Sequence, residues 1–382
     1  MRNLASVQTV KRVDAIPGKD RIGYVSFNKV EWRVIGEKNL TPGQKVVYVE
    51  YDSILPVHPA FEFLRKRCYS EKQQGFKIGC MRMGGLVSYG LLLTYESVKD
   101  FIPRADWDSY EEGSDLTGIL KVRKFEDEVP VIRMKKGFFR RVLDAVFGEK
   151  KLPAGFIPFV QKSDETRAET LPYLFDEKWR GKKVYVTVKV DGQSGTFALN
   201  KGMFYAASRN QILYAEKEAK AARELRPARE GHYQKYGQIF LQMAAKYDAV
   251  KKLKAYGSGI AVQFEQAGPK IQKNHLGLGS LQIFVFNVYD VERGRYLGWD
   301  ALESFCVQSG FPTVPFVEKR VFDWNNMDEL YEYSKGTYAN GHVREGVVIR
   351  SDSGGYMDSP EIDMHAMWSF KVINPDYLLG SQ

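Results

Sequence analysis

Alternation of hydrophobic and polar residues dominates the first third of the chain. The segments RIGYVSF, EWRVIGE and QKVVYVEYDSIL alternate in this way, and Pro-Gly and Thr-Pro-Gly turn signals separate them. Several short strands at such close spacing favour a small barrel or sandwich. We therefore predict a β-barrel domain over residues 1–125.

A basic segment follows this barrel. Residues 133–151, RMKKGFFRRVLDAVFGEKK, carry seven lysines and arginines against two acidic residues, a net charge of +5. Apolar residues recur in it at helical spacing, which predicts a short amphipathic helix. The segment is either a solvated linker or a nucleic-acid contact. We assign residues 126–152 to this linker.

From residue 153 to residue 382 the pattern predicts a mixed domain of class α+β, with antiparallel connections. Helices are expected within 215–255, at 300–309 and at 326–335. The predicted strands lie at 183–190, 195–200, 203–208, 260–265, 281–291, 345–350 and 367–373.

Composition narrows the classes of protein. A chain of 382 residues suits two domains, and a net charge of +9 with a pI near 9.1 suits a polyanionic partner. The three cysteines, Cys68, Cys80 and Cys306, show no pattern, which argues against a disulfide framework or a zinc site. No apolar run approaches the ~20 residues of a membrane span. We expect an intracellular protein without a membrane partner, either cytoplasmic or, if viral, in the host cytoplasm.

One lysine stands at the end of a predicted strand. In VYVTVKVDG, Tyr185, Thr187 and Lys189 share the face opposite the valines, and Asp191 and Gly192 follow. This arrangement suits a nucleophilic amine beside a carboxylate at a tight turn. Taken alone, it is also typical of a surface strand that ends in a turn.

Further motifs follow this lysine in a fixed order. They are Ser208-Arg209-Asn210, Glu265 in IAVQFEQ, Phe284 and Phe286 in QIFVFNVYD, Glu345 in EGVVIRS, and Lys371 in WSFKV. The series resembles the covalent nucleotidyltransferases, the group of polynucleotide ligases and mRNA capping enzymes. The strings FVQKSDETRAETLP, GPKIQKNHLGL and FEFLRKR resemble the nick-sealing RNA ligases that carry an N-terminal OB module.

The resemblance implies a reaction. Such ligases attack the α-phosphate of ATP with a lysine, transfer AMP from lysyl-AMP to a 5′-phosphate, and join that end to a 3′-hydroxyl. It also implies a divalent cation, Mg²⁺ or Mn²⁺, and a role in RNA repair. The expected partner is a nicked duplex with an RNA 3′-OH strand, and the expected state is a monomer.

The resemblance also implies residue roles. Lys189 is the nucleophile, and Lys371 contacts the α-phosphate. The carboxylates expected to place the metal through its waters are Asp191, Glu265 and Glu345. The residues expected to bind ribose or phosphate are Arg167, Arg209 and again Glu265. Val188 is the expected strand residue of the nucleotide pocket, and the ring that stacks on adenine is Phe286 or else Phe284.

One position departs from the pattern, because ligases of this superfamily often carry two lysines spaced KxK in the last motif. Here Ser369 takes the first position, so either Lys371 suffices or Arg350 supplies the second contact.

Two other functions remain open, a capping guanylyltransferase and an OB-containing RNA-binding protein without catalysis. The five histidines show no metal-ligand spacing and are predicted to be structural or surface residues; they are His58, His232, His275, His342 and His365.

Overall fold

The computed structural model describes residues 3–28, 34–83, 86–125, 155–162, 165–171, 174–225, 238–257, 259–352 and 368–380. The predicted linker helix at 133–151, with His232 and His365, lies outside these residues. The chain forms two compact units. The N-terminal unit comprises Met1–Glu128, Ala168–Asp176 and Leu378–Gln382, and the C-terminal unit comprises Val129–Arg167 and Glu177–Tyr377. The boundaries proposed at 125, 126–152 and 153 stay predictions.

The N-terminal unit is built from antiparallel strands, which confirms the OB-like barrel. One sheet has the order β10-β4-β1-β2-β3, a second has the order β11-β5-β7-β6, and β8 pairs with β9. The strands are β1 (Ala5–Ala15), β2 (Ile22–Phe27), β3 (Val34–Glu37), β4 (Lys45–Val49), β5 (Ser53–Pro56), β6 (Tyr69–Ser70), β7 (Gly75–Ile78), β8 (Cys80–Met83), β9 (Leu86–Tyr89), β10 (Leu91–Leu93) and β11 (Arg123–Lys124).

Short helices cover the core of this unit. They are η1 (Pro59–Leu64), α1 (Arg65–Cys68), α2 (Tyr95–Val98) and α3 (Arg104–Ser109). Inward residues of β4, β5 and β7 pack with Trp107 and Leu116 in one buried cluster. Alternation along the strands thus places one face of each sheet in the core.

The C-terminal unit contains two sheets, with orders β12-β22-β21-β13-β20 and β16-β15-β14-β17-β18-β19. Only the short β12–β22 pair is parallel among the described strand pairs of this unit. The strands are β12 (Thr166–Arg167), β13 (Lys183–Val188), β14 (Gln193–Asn200), β15 (Met203–Ser208), β16 (Ile212–Lys217), β17 (Ile260–Ala267), β18 (Gln282–Asp290), β19 (Arg295–Tyr296), β20 (Phe316–Val321), β21 (Gly346–Ser351) and β22 (Ser369–Ile373).

Helices pack on the six-stranded sheet, where α5 contacts β15 and α6 contacts β14. The helices after α3 are α4 (Glu218–Glu224), α5 (Gln238–Lys246), α6 (Ala249–Tyr256), α7 (Trp299–Ser309), α8 (Met327–Ser334) and α9 (Pro375–Gly380), and the 3₁₀ turns are η2 (Ala168–Thr170) and η3 (Glu177–Trp179). The apolar faces of α4, α5, α6 and α7 share one large core with this sheet. The predicted α+β class is therefore confirmed.

The prediction of a helix from residue 215 is wrong at its start. Strand β16 continues to Lys217, with Ala215 opposite Tyr205 and Lys217 opposite Met203. Pairing with the free edge of β15 overrides the helical propensity of Ala, Glu and Lys.

None of the helices in the described ranges is both long and apolar enough to cross a membrane.

Candidate functional site

Lys189 lies immediately after β13, at the point where that strand leaves its sheet. Its N–H donates to the carbonyl of Gly346 at 2.9 Å, so its backbone continues the pairing between β13 and β21. Val188 stands opposite Val347 in this pairing. Alternation directs Val188 to the face opposite that of Thr187, and its role in the nucleotide pocket stays a prediction.

The amine of Lys189 forms an ion pair with Glu345. The distance from Nζ to Glu345 Oε1 is 2.7 Å, and the two side chains are only 21% and 16% exposed. Burial acts to lower the pKa of Lys189, but the nearby charges of Glu345, Glu265 and Asp191 outweigh it and raise that pKa. In the site as it stands, the amine is therefore held as an ammonium ion.

A single tyrosine hydroxyl joins the two segments that carry this pair. Tyr338 donates to the carbonyl of Lys189 at 2.9 Å. The same oxygen accepts from the backbone N–H of Asp191 at 3.1 Å and from that of Glu345 at 3.1 Å. Burial raises the pKa of Tyr338, so the hydroxyl keeps its proton and can serve as both donor and acceptor. No local sequence signal marks this tyrosine.

Two glycines beside Lys189 and Glu345 allow neighbouring backbone segments to approach closely. Gly346 has φ +146°, and a Cβ there would lie 2.1 Å from the carbonyl oxygen of Val372. At Gly192 a Cβ would lie 2.3 Å from the carbonyl oxygen of Gln266. Both positions therefore require glycine, because a side chain would push neighbouring backbone away.

Glu265 comes from the other sheet of this unit. It lies on β17, opposite Ser194 of β14 and Phe284 of β18. Burial, with the repulsion of Glu345 and Asp191, raises the pKa of Glu265 to about 8, against the opposing effect of Lys189 and Arg209. The predicted carboxylates and the predicted nucleophile therefore lie within electrostatic reach of one another.

Asp191 is surrounded by two residues that sequence reasoning did not assign to the site. His275 Nδ1 lies 2.9 Å from Asp191 Oδ2, although neither atom makes a hydrogen bond of regular geometry. The ring of Tyr377 meets that of His275 edge-on at 5.2 Å, and its hydroxyl hydrogen-bonds to Asp191. His275 is therefore a residue of the site. The only signal for it was its place in the string GPKIQKNHLGL.

Lys371 and Arg167 are neighbours across two strands. Arg167 of β12 lies in register with Lys371 of β22, which in turn lies opposite Val348 of β21. Residues paired in this way share one face of a sheet. Arg167 is only 8% exposed, and the charge of Lys371 acts on Glu345. The structure thus brings Lys371 and Arg167, two of the predicted phosphate contacts, to the face that Thr187 and Lys189 occupy.

Arg350, the proposed second phosphate contact, is held inside the unit. It is 1% exposed and donates to Thr187 Oγ1 at 3.0 Å and to Glu165 Oε1 at 2.8 Å. Ser369 donates to the other oxygen of Glu165. At the position where relatives often carry a lysine, this chain therefore has a serine bound to a carboxylate that Arg350 neutralises.

The two candidate rings for adenine differ in their surroundings. Phe286 is 7% exposed and packs with Val190, and the Arg350 guanidinium lies 5.5 Å from its ring centre. Phe284 packs on the same cluster and is half-buried. Both rings therefore line the region beside Lys189, and the choice between them stays a prediction.

The metal site expected at Asp191, Glu265 and Glu345, with contact through water, stays a prediction. Within the described parts of the chain, no group of three or more His, Cys, Asp or Glu side chains is placed to hold a metal ion. Glu345 Oε2 and Asp191 Oδ2 are nevertheless buried oxygen atoms without a hydrogen bond. Such acceptors fit the water shell that Mg²⁺ retains in proteins.

Comparison with protein families gives two matches. Residues 182–364 match the RNA ligase family, and residues 4–95 match an OB-fold domain. The two matches follow one another along the chain, as the resemblance implied.

Comparison with solved structures gives the same fold over the whole chain. The Naegleria gruberi RNA ligase with PPi has a TM-score of 0.77 at 22% sequence identity, over 100% of this chain and 99% of that one. A mutant of that ligase with ATP and Mn has a TM-score of 0.77 at 22% identity, over 99% of each chain. A further mutant, with AMP and Mn, gives the same values. Comparison with curated proteins finds no significant match.

Proposed function

We propose that this chain, whose residues 182–364 match the RNA ligase family, is an ATP-dependent RNA ligase that works through lysyl-AMP. The observation that carries this proposal is the buried pair of Lys189 and Glu345, with Nζ 2.7 Å from Oε1. A buried amine beside carboxylates is a group whose protonation the surroundings control, which is what a lysine nucleophile needs. The ATP and Mn bound by the Naegleria gruberi ligase mutant of the same fold support the choice of nucleotide and metal.

The first step forms a bond between Lys189 Nζ and the α-phosphorus of ATP and breaks the bond to pyrophosphate. The amine must lose a proton before it attacks, and Glu345 Oε1 stands at hydrogen-bond distance to accept it. A bound divalent cation supplies positive charge that neutralises the phosphates and the carboxylates. A cation held beside these carboxylates would offset part of their charge, and the ammonium form of Lys189 would then be favoured less.

Cationic side chains from both sheets of the unit would receive the phosphates. Lys371 and Arg167 are in register on adjacent strands, and Arg209 acts electrostatically on Glu265. Cations fixed before the reaction stabilise the charge that develops on the α-phosphate without reorganisation in the transition state. The base would stack on Phe286 or on Phe284, beside Glu265.

The natural substrate in this proposal is a nicked duplex with an RNA 3′-OH strand, sealed by a monomer during RNA repair inside the cell. The OB-like unit supports it, since OB folds bind polynucleotides. Exposed cations on that unit, at Lys11, Arg12, Lys66 and Arg67, and the net charge of +9 also suit a polyanion.

The test is incubation with α-labelled ATP and Mg²⁺ or Mn²⁺, followed by detection of acid-stable label on the protein. We expect label on the native chain and none on Lys189→Met. That variant should still seal a pre-adenylated strand in part, because this step needs no new lysyl-AMP. Label from GTP instead of ATP would indicate a capping guanylyltransferase. Absence of label from either nucleotide would favour an RNA-binding protein without catalysis.

A further inference from the structure

A short helical segment of the N-terminal unit is fixed firmly to its core. Phe61 and Leu64 of η1 are 0% and 3% exposed, and the His58 side chain accepts a hydrogen bond from the N–H of Ala60. The His58 ring also packs on Phe101, with ring centres 4.4 Å apart. Side chains on the outer side of this segment are therefore presented from a rigid base.

An aromatic ring projects outward from this base. Phe63 lies between the two buried anchors and is 59% exposed. No other described Phe, Tyr or Trp of the N-terminal unit is exposed to the same degree. A single exposed apolar residue is ordinary on a protein surface, so the ring alone identifies no site.

The neighbours of this ring give it a chemical context. Lys66 and Arg67 follow Phe63 by three and four residues, a spacing that places them on the same side of a helical segment. Both are exposed, and neither makes an ion pair or hydrogen bond with a described residue. Arg65 differs from them, because Glu62 holds it at 2.5 Å and it lies 4.4 Å from the Tyr69 ring centre.

We infer that Phe63, Lys66 and Arg67 form a contact site for an unpaired nucleotide of the RNA substrate. An exposed aromatic face stacks on a base of any identity, while nearby cations bind the flanking phosphates. A base inside a duplex has both faces covered by its neighbours, so this surface suits a strand that is not paired at that point. The inference rests on the proposed function only in taking RNA as the substrate, and it adds an unpaired segment to the nicked duplex.

The experiment measures dissociation constants of the full chain by fluorescence anisotropy. The probes are a labelled single-stranded RNA, a fully paired nicked duplex, and the same duplex with an unpaired extension. Phe63→Ala should weaken binding of single-stranded RNA by about tenfold, while Phe63→Trp should retain it. Ile119→Ala is the matched control, since Ile119 is 38% exposed on the same unit. Lys66→Ala with Arg67→Ala should reduce the dependence of binding on salt.

Two further measurements decide the outcome. All variants should form the labelled protein–AMP adduct at the native rate, because that step involves no RNA. The inference is overturned if Phe63→Ala binds single-stranded RNA as tightly as the native chain, or if it weakens the fully paired duplex equally. Failure of the native chain to form the adduct would instead refute the proposed ligase and leave the binding result to be judged separately.

Discussion

His275 Nδ1 lies 2.9 Å from Asp191 Oδ2, with the two side chains 19% and 9% exposed. The histidine is thus a neighbour of a carboxylate that the proposed function requires, and it comes from the loop between β17 and β18. The hydroxyl of Tyr377 hydrogen-bonds to the same carboxylate. The orientation of Asp191 therefore depends on residues far from it in the sequence.

We expect His275→Ala to slow formation of the protein–AMP adduct by about tenfold, because Asp191 then loses one of the two neighbours that orient its side chain. His275→Asn should recover most of the rate, since its amide nitrogen lies near the position of Nδ1. His275→Gln places its nitrogen farther out and should not recover it. Single-turnover rates at several Mg²⁺ concentrations measure the effect. Equal rates for the native chain and the alanine variant would show that His275 only fills space.

The rate of adduct formation should rise with pH through neutrality. The carboxylates around Lys189 raise its pKa, so the attacking neutral amine is a minor species at low pH. Single-turnover labelling between pH 6 and pH 9 tests this. Sealing of a pre-adenylated strand is the control, because it does not use the Lys189 amine as a nucleophile. A flat labelling profile across this range would argue against the ammonium form.

Glu265 gives a separate pH effect on stability. Its pKa rises from 4.5 to about 8 on folding, so folding favours the protonated form. Its contribution to stability is full below pH 4.5 and is lost as the pH rises to about 8. The side chain of Glu265→Gln cannot ionise. The free energy of unfolding of this variant, relative to that of the native chain, should therefore increase as the pH rises through this range. Urea unfolding of both proteins at pH 5 and pH 8 measures it, and a constant difference would contradict the shift.

Gly346→Ala should unfold the site. The new Cβ would meet the carbonyl oxygen of Val372 at 2.1 Å in a backbone conformation that already disfavours alanine. We expect a loss of about 3 kcal/mol or more in urea unfolding. Gly341→Ala is the matched control, since Gly341 has φ +84° but nothing within 4 Å of the added carbon. It should lose only about 1–2 kcal/mol of conformational strain. Equal losses would show that the close approach is unimportant.

The buried pair of Arg350 and Glu165 should be sensitive to loss of one partner. Glu165→Gln leaves the guanidinium of a 1%-exposed arginine without its counter-charge, at a cost of about 3–5 kcal/mol in unfolding free energy. Ser369→Ala removes only a hydrogen bond to the same carboxylate and should cost about 1 kcal/mol. Comparable small losses for both variants would indicate that solvent reaches Arg350.

The local pattern of hydrophobic and polar residues predicted the strands that carry the site. It did not predict the contacts that position the site residues relative to one another. Alternation along 203–208 gave strand β15 with its observed bounds, and the valine row gave β13 and the position of Lys189 at its end. The full extent of strand β16 was not predicted, because its composition favours a helix and pairing with β15 decides its conformation. The positions of Tyr338 and His275 in the site were not predicted, for a related reason. Each acts on a residue distant in the chain, and no periodicity records such a contact.

The hydroxyl of Tyr338 has a consequence for how the protein is made. It meets the backbone of Asp191 and Lys189 across 147 and 149 positions of the chain. Synthesis proceeds from the amino end, so the lysine emerges from the ribosome well before the tyrosine that fixes its carbonyl. Glu345 emerges later still. In a nascent chain the backbone of Lys189 therefore stays without these contacts until Tyr338 and Glu345 have also left the ribosome.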